Sequence, residues 1–359
     1  MGLFSGATPS FRTRTALPLS RDNLEGMKST SAAQERAWSD KSVPPLEQVR
    51  DDVWALGLAM PGGHIPFSIT YLLRDSVGAI HAVDAGWDSD ENWVAFTAAL
   101  NELGSPGTVG SLIVTHLHPD HLGMAERIRR ETGARIILHE VEQSALAAGA
   151  ARAWTPDSVN RRLDQWGVPL DARSGLENFT NVAPEPTTTH ADLSVTDGQR
   201  LDIPGFDLTA MWTPGHTSGH LSLRDDDRGL MYTGDHLLPT MYPGLGLGDV
   251  SETNPIADYL DSLDAISTYP DYEVLPGHGY RFTGLAARAG KTARHHLRRA
   301  REVAGVLAEG GDPSVWDIAA RLTWTAGWEN LKGFMVMSAL AQTAMHREFV
   351  LSPAAAARL

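Results

Sequence analysis

Residues 115–121 read Thr115-His116-Leu117-His118-Pro119-Asp120-His121, three imidazoles and a carboxylate within one short stretch. The apolar run Ser111-Leu112-Ile113-Val114 precedes it and reads as a buried strand, while 122–132 follows with a helical pattern. The stretch therefore sits on a strand-to-helix turn. His116 and His118 are two positions apart, so on extended backbone they point the same way. Asp120 and His121 open the helix and can serve a second metal ion beside the first. Imidazole and carboxylate donors without sulfur suit Zn²⁺, with Fe or Mn as the other options.

Working outward, His-x-His-x-Asp-His after an apolar strand resembles the metallo-β-lactamase superfamily. Thr213-Pro214-Gly215-His216, Thr233-Gly234-Asp235 and Pro276-Gly277-His278-Gly279 extend that resemblance over about residues 50–283. The resemblance implies an α/β fold, a four-layer αβ/βα sandwich. It also implies a ligand set of the glyoxalase II-like dinuclear type. His116, His118 and His216 would hold one ion, and Asp120, His121 and His278 the other, with Asp235 as the bridge. Asp84, in Asp84-Ala85-Gly86-Trp87 at a strand end, matches the residue that orients the ligand loop without binding metal. His220 and His236 fall beside ligand positions, but the resemblance gives neither a metal role. His139 ends a strand and reads as structural, and Tyr280 is a candidate substrate contact.

The rest of the chain divides around that core. Residues 1–46 are polar, Ser/Thr-rich and without sustained periodicity, and read as an extended arm packing on the domain or on the partner of a homodimer. Residues 47–283 form the catalytic domain. Strands are expected at 53–58, 68–74, 78–84, 134–139, 199–203, 206–212, 220–223, 230–232 and 272–275, and helices at 90–104 and 254–269. The connection between His121 and His216 is longer than in the superfamily's compact hydrolases. The surplus, about 141–192, reads as a helical cap over the metals with helices at 142–153 and 157–166. Trp154 and Trp166 are candidates there either for substrate contact or for packing. Residues 284–359 are helical and resemble the winged-helix branch of the superfamily in degenerate form, since the Ala-rich end does not look like a full wing. Arg288, Lys291, Arg294, Arg298, Arg299 and Arg301 are expected to make one helix face there basic.

Composition narrows the chemistry. The net charge is −14, which argues against a nucleic-acid backbone as partner. There is no cysteine, so disulfides, thiolate ligands and a Cys nucleophile are excluded. No apolar run reaches the length of a membrane span, and 1–20 lacks the continuous apolar core of a secretory signal. Met1-Gly2 begins like a myristoylation signal, but Gly6 breaks the match, and a cytoplasmic enzyme is the simplest reading. The resulting expectation is a hydrolase in which two divalent cations lower the pKa of a shared water to give hydroxide, with Asp120 or Asp235 taking a proton. Its expected substrate is a small ester, thioester or lactone. The alternative is a metal-dependent nuclease acting on single-stranded nucleic acid, motivated by the same ligands and the basic helix. A non-catalytic metal-binding protein is a third class, disfavoured by the complete ligand set.

Overall fold

The run 53–59 is apolar at nearly every position, and a strand buried on both faces needs a layer on each side. The computed structural model, which describes residues 26–149, 155–176, 189–247 and 253–359, supplies both layers. In chain order it begins with β1 (Lys28–Ser29), α1 (Ala32–Asp40), β2 (Glu47–Arg50), β3 (Val53–Ala59), β4 (Phe67–Arg74), β5 (Ile80–Val83) and α2 (Asp90–Glu102). Then come β6 (Ser111–Ile113), α3 (Pro119–Leu122), α4 (Ala125–Thr132), β7 (Arg135–His139), α5 (Glu140–Gly149), α6 (Pro156–Gln165) and β8 (Leu193–Val195). The chain continues through β9 (Leu208–Trp212), β10 (Leu221–Asp225), β11 (Leu230–Gly234), α7 (Pro255–Ser267), β12 (Glu273–Pro276) and β13 (Phe282–Thr283). It ends with α8 (Leu285–Ala308), α9 (Val315–Arg321), α10 (Phe334–Leu351) and α11 (Pro353–Ala356).

One sheet has the order β2-β3-β4-β5-β6-β7-β8 and the other β1-β13-β12-β11-β10-β9. Side chains alternate between layers with the strand period of two. Val53 and Ala55 of β3 join Leu223 and Tyr232 between the sheets. Trp54, Leu56 and Leu58 face the opposite way, onto Phe96 and Leu100 of α2. The outer face of the other sheet, with Met231 and Val274, is covered by Tyr259 and Leu263 of α7, Ala289 of α8 and Phe349 of α10. The order helix, sheet, sheet, helix is the expected four-layer sandwich. β5, β6 and β7 run parallel, as do β11 and β12, so several strand ends open at one edge.

Several expectations need correction. From residue 26 the N-terminal segment is not an extended arm. Ser31 caps α1 by accepting from Gln34 N–H at 3.0 Å and donates to Glu47 at 2.6 Å. β1 pairs with β13, and buried Arg281 holds Glu273 at 2.6 Å and Glu47 at 2.9 Å. The contacts to Glu47 and β13 are distant in sequence and leave no periodicity to read. The strand expected at 199–203 is a single bridge, Arg200 to Thr209. The helix expected at 122–132 is two, broken after Leu122.

In the inserted segment α5 and α6 form as expected, while 166–176 and 189–192 hold no α-helix. Val159, Leu163 and Trp166 pack with Val315, Ala319 and Leu340 of the C-terminal helices, so Trp166 serves packing. Trp154 lies outside the described residues. Residues 284–359 contain helices and no wing strand. The expected basic face of α8 is only partly formed, because Arg288 is buried, donating to Leu238 and Met241 carbonyls. Arg299 lies over the Trp324 ring. Tyr280, the candidate substrate contact, is also buried and packs with residues of α7 and α8. No helix among the described residues is long and apolar enough to cross a membrane.

Candidate metal centre

The structure brings all seven expected site residues to the edge where the strand ends open. β6 ends just before Thr115, and the turn that follows presents His116 and His118. His118 has extended backbone (φ −66°, ψ 148°) and Pro119 starts α3, so the chain switches from strand to helix between the two ligand pairs. Asp120 and His121 lie in the single turn of α3. His216 comes from the loop after β9, Asp235 directly follows β11, and His278 follows β12. The His216 loop bends at Gly215, where φ is 130° and a Cβ would stand 2.7 Å from Tyr259 Cα. Only glycine meets both conditions.

Two groups of donor atoms form. In the first, His116 Nε2 lies 2.9 Å from His118 Nδ1, and His216 Nε2 lies 3.2 and 3.1 Å from those two atoms. In the second, His278 Nε2 is 3.0 Å and His121 Nε2 3.6 Å from Asp120 Oδ2. Asp235 stands between them. Its Oδ1 is 3.4 Å from both His121 Nε2 and His278 Nε2, while its Oδ2 is 3.6 Å from His216 Nε2.

These atoms fit divalent cations. Zn–N bonds of about 2.0–2.1 Å at tetrahedral angles place ligand nitrogens roughly 3.3 Å apart, close to the spacings of the first group. His121 Nε2, His278 Nε2 and Asp235 Oδ1 are buried without hydrogen-bond partners, which is costly unless something electrophilic is shared among them. Their opposite ring nitrogens are anchored. His216 Nδ1 faces Gly244 O at 2.6 Å and His278 Nδ1 faces Phe67 O at 2.9 Å. Carbonyls only accept, so both rings carry hydrogen on Nδ1 and aim Nε2 into the site.

Asp84 occupies the expected place behind the ligands. Its Oδ2 is 2.7 Å from His121 Nδ1, and its two oxygens accept from Thr115 N–H at 2.7 Å and from the Thr115 hydroxyl at 3.0 Å. Thr115 Oγ1 in turn lies 3.0 Å from His116 Nδ1. One carboxylate thus orients ligands of both groups, a role sequence reading assigned to Asp84 without Thr115.

The electrostatics match the donor chemistry. Burial pushes the imidazoles of His116 and His216 down and that of His118 to about 3, which keeps all three neutral and able to ligate. Burial opposes ionisation of Asp120 and Asp235, yet His121 and His278 hold both carboxyls below the usual carboxylate range. Burial likewise lowers His278, but Asp235 and Asp120 outweigh it and carry this imidazole up to about 10. The second group therefore calls for positive charge, which a cation supplies by displacing protons.

His220, given no metal role from sequence, braces Asp235. Its Nε2 accepts from Asp235 N–H at 3.3 Å, and its Nδ1 faces the Thr213 hydroxyl at 2.9 Å. His139 is buried and stacks on Trp212, away from the donor atoms. Glu142 was not anticipated. It accepts from Leu117 N–H at 2.7 Å and from Gly219 N–H at 2.9 Å.

Residues 83–278 match the family model described as the metallo-beta-lactamase superfamily. The chain is 26% identical over 249 residues to the probable metallo-hydrolase YqjP of Bacillus subtilis (strain 168), covering 67% of this chain and 76% of that one. It is 30% identical over 195 residues to the acyl-coenzyme A thioesterase MBLAC2 of Homo sapiens, covering 52% and 62%. Among solved structures, a metallo-beta-lactamase family protein of Thermus thermophilus superposes with a TM-score of 0.68 at 25% identity, covering 85% of this chain and 94% of that chain.

Proposed function

Because this chain belongs to the metallo-β-lactamase superfamily and is a hydrolase of that fold, we propose that it uses a dinuclear metal centre, Zn²⁺ in the first instance, to cleave a small ester, thioester or lactone. The observation that carries the reading is Asp235, whose two oxygens face the two donor groups separately. In the proposal His116, His118 and His216 hold one ion, Asp120, His121 and His278 the other, and Asp235 both. When bound, the cations supply Lewis acidity towards the scissile carbonyl and acidify water towards neutral pH.

The chain's own part is positioning and proton handling. The His121 and His278 side chains are 0% and 1% exposed, whereas those of Asp120 and Asp235 keep 13% and 11%. The carboxylates and not these imidazoles meet water, so a carboxylate oxygen takes the proton that the attacking water sheds. Asp84 and the carbonyls of Gly244 and Phe67 keep the rings from turning as charge shifts.

Metal content is the first check. Protein purified without chelator is expected to carry about two equivalents of Zn, Fe or Mn by elemental analysis, two-metal sites being the usual partner of such a bridge. A firm single equivalent would end the dinuclear reading.

A small acyl substrate is favoured by the −14 charge, by the acyl-coenzyme A thioesterase among the relatives, and by the burial of Arg288 in the Arg-rich helix α8. Hydrolysis of uncharged aryl ester and lactone substrates is expected to vary little with salt. If single-stranded RNA were cleaved instead, activity would fall steeply as salt rises, through counterion release. RNA cleavage of that kind, abolished in His118→Ala and with no acyl turnover, would replace the small-substrate reading by the nuclease one.

A further inference from the structure

Glu142 lies in the first turn of α5, outside the seven site residues, and is fully buried. Its carboxylate collects neutral donors from two separate loops. Leu117 N–H and the Thr217 hydroxyl reach Oε1 at 2.7 and 3.0 Å, and Gly219 N–H reaches Oε2 at 2.9 Å. Leu117 stands between His116 and His118, and Thr217 directly follows His216. One side chain therefore ties together the two pieces of backbone that carry the first donor group.

The approach is close by construction. A Cβ on Gly219 would stand 2.6 Å from Glu142 Oε2, so glycine is required for the loop to reach the carboxylate. Burial pushes the Glu142 carboxyl up to about 7, against the pull of its three donors. One backbone N–H is aimed at each oxygen, so both oxygens are needed as acceptors. A buried carboxylate is costly to keep, and it persists where its hydrogen bonds are needed.

We propose that Glu142 is a positioning residue that locks Leu117 to Thr217 and Gly219 and so sets the spacing of His116, His118 and His216. The inference rests on the metal-hydrolase reading above. Glu142→Gln keeps the length but puts an amide N–H₂ against one of the backbone donors.

The test compares wild type and Glu142→Gln, stripped of metal and titrated with Co²⁺, by visible absorption, far-UV circular dichroism and hydrolysis of an acyl thioester. The expected result is unchanged circular dichroism, shifted Co²⁺ bands, and Co²⁺ affinity and kcat each lower by about 10–100-fold, with KM little altered. A variant that matches wild type in bands, affinity and kcat overturns the inference alone. A wild type that binds no Co²⁺ defeats the metal reading, and the inference falls with it. Should Glu142→Gln fail to fold, Thr217→Val removes one donor at nearly constant shape. Shifted bands in that variant support the lock, and unshifted bands overturn it.

Discussion

Asp235→Asn is expected to lower kcat/KM for an acyl thioester about a thousandfold, roughly 4 kcal/mol of transition-state stabilisation. The substitution keeps the shape of the side chain and removes its charge. In the present geometry Oδ1 lies 3.4 Å from His121 Nε2 and His278 Nε2, and Oδ2 lies 3.6 Å from His216 Nε2. In the proposed dinuclear centre an amide nitrogen in either place is a donor, so one of the two groups would lose an anionic ligand while the other would keep a neutral one. Metal content should drop together with turnover, and elemental analysis beside steady-state kinetics reads both. A variant with reduced turnover but both metals retained would move Asp235 from shared ligand to proton acceptor. One with turnover and metal both intact would show that the carboxylate is not part of the chemistry at all.

How far the sequence carried these assignments depends on the range of the interactions. The candidate metal-binding turn was legible because His116, His118, Asp120 and His121 lie close together in sequence and follow a recognisable strand. His216, Asp235 and His278 were legible through resemblance, since each follows a strand end in a short motif. β3, β4 and β7 declared themselves by apolar runs. What was missed depends on pairs far apart in the chain. α1 and β1 are held by Glu47, Glu273 and Arg281, which a reading of local pattern cannot connect. Arg288 looked like one of a set of exposed cations, but the carbonyls that bury it come from the loop after β11. Glu142 gave only a weak signal, an acidic residue early in a helix, which ordinarily means a favourable helix dipole interaction. Its partners, Leu117 and Gly219, become visible only when the two ligand loops meet.

Asp84 gives the second large effect, and two substitutions there separate stability from function. The residue is buried and sits at φ 64°, a left-handed conformation that Asp and Asn tolerate better than Ala. Asp84→Ala strips partners from the Thr115 N–H, the Thr115 hydroxyl and His121 Nδ1 at once, and adds backbone strain. Leaving buried donors unpaired and breaking a buried ionic contact is expected to cost about 3 kcal/mol or more in urea unfolding. Asp84→Asn keeps the backbone conformation and an oxygen for Thr115 N–H, so its stability loss should be near 1 kcal/mol. It no longer offers His121 a carboxylate, and the ring that faces Asp120 and Asp235 loses its fixed orientation. Activity of Asp84→Asn should therefore fall about 10–100-fold, as when the outer partner of a metal-binding histidine is removed. If Asp84→Asn keeps full activity while Asp84→Ala is unstable, then Asp84 braces the end of β5 against Thr115, and His121 is oriented by its packing against His116 and His278 instead.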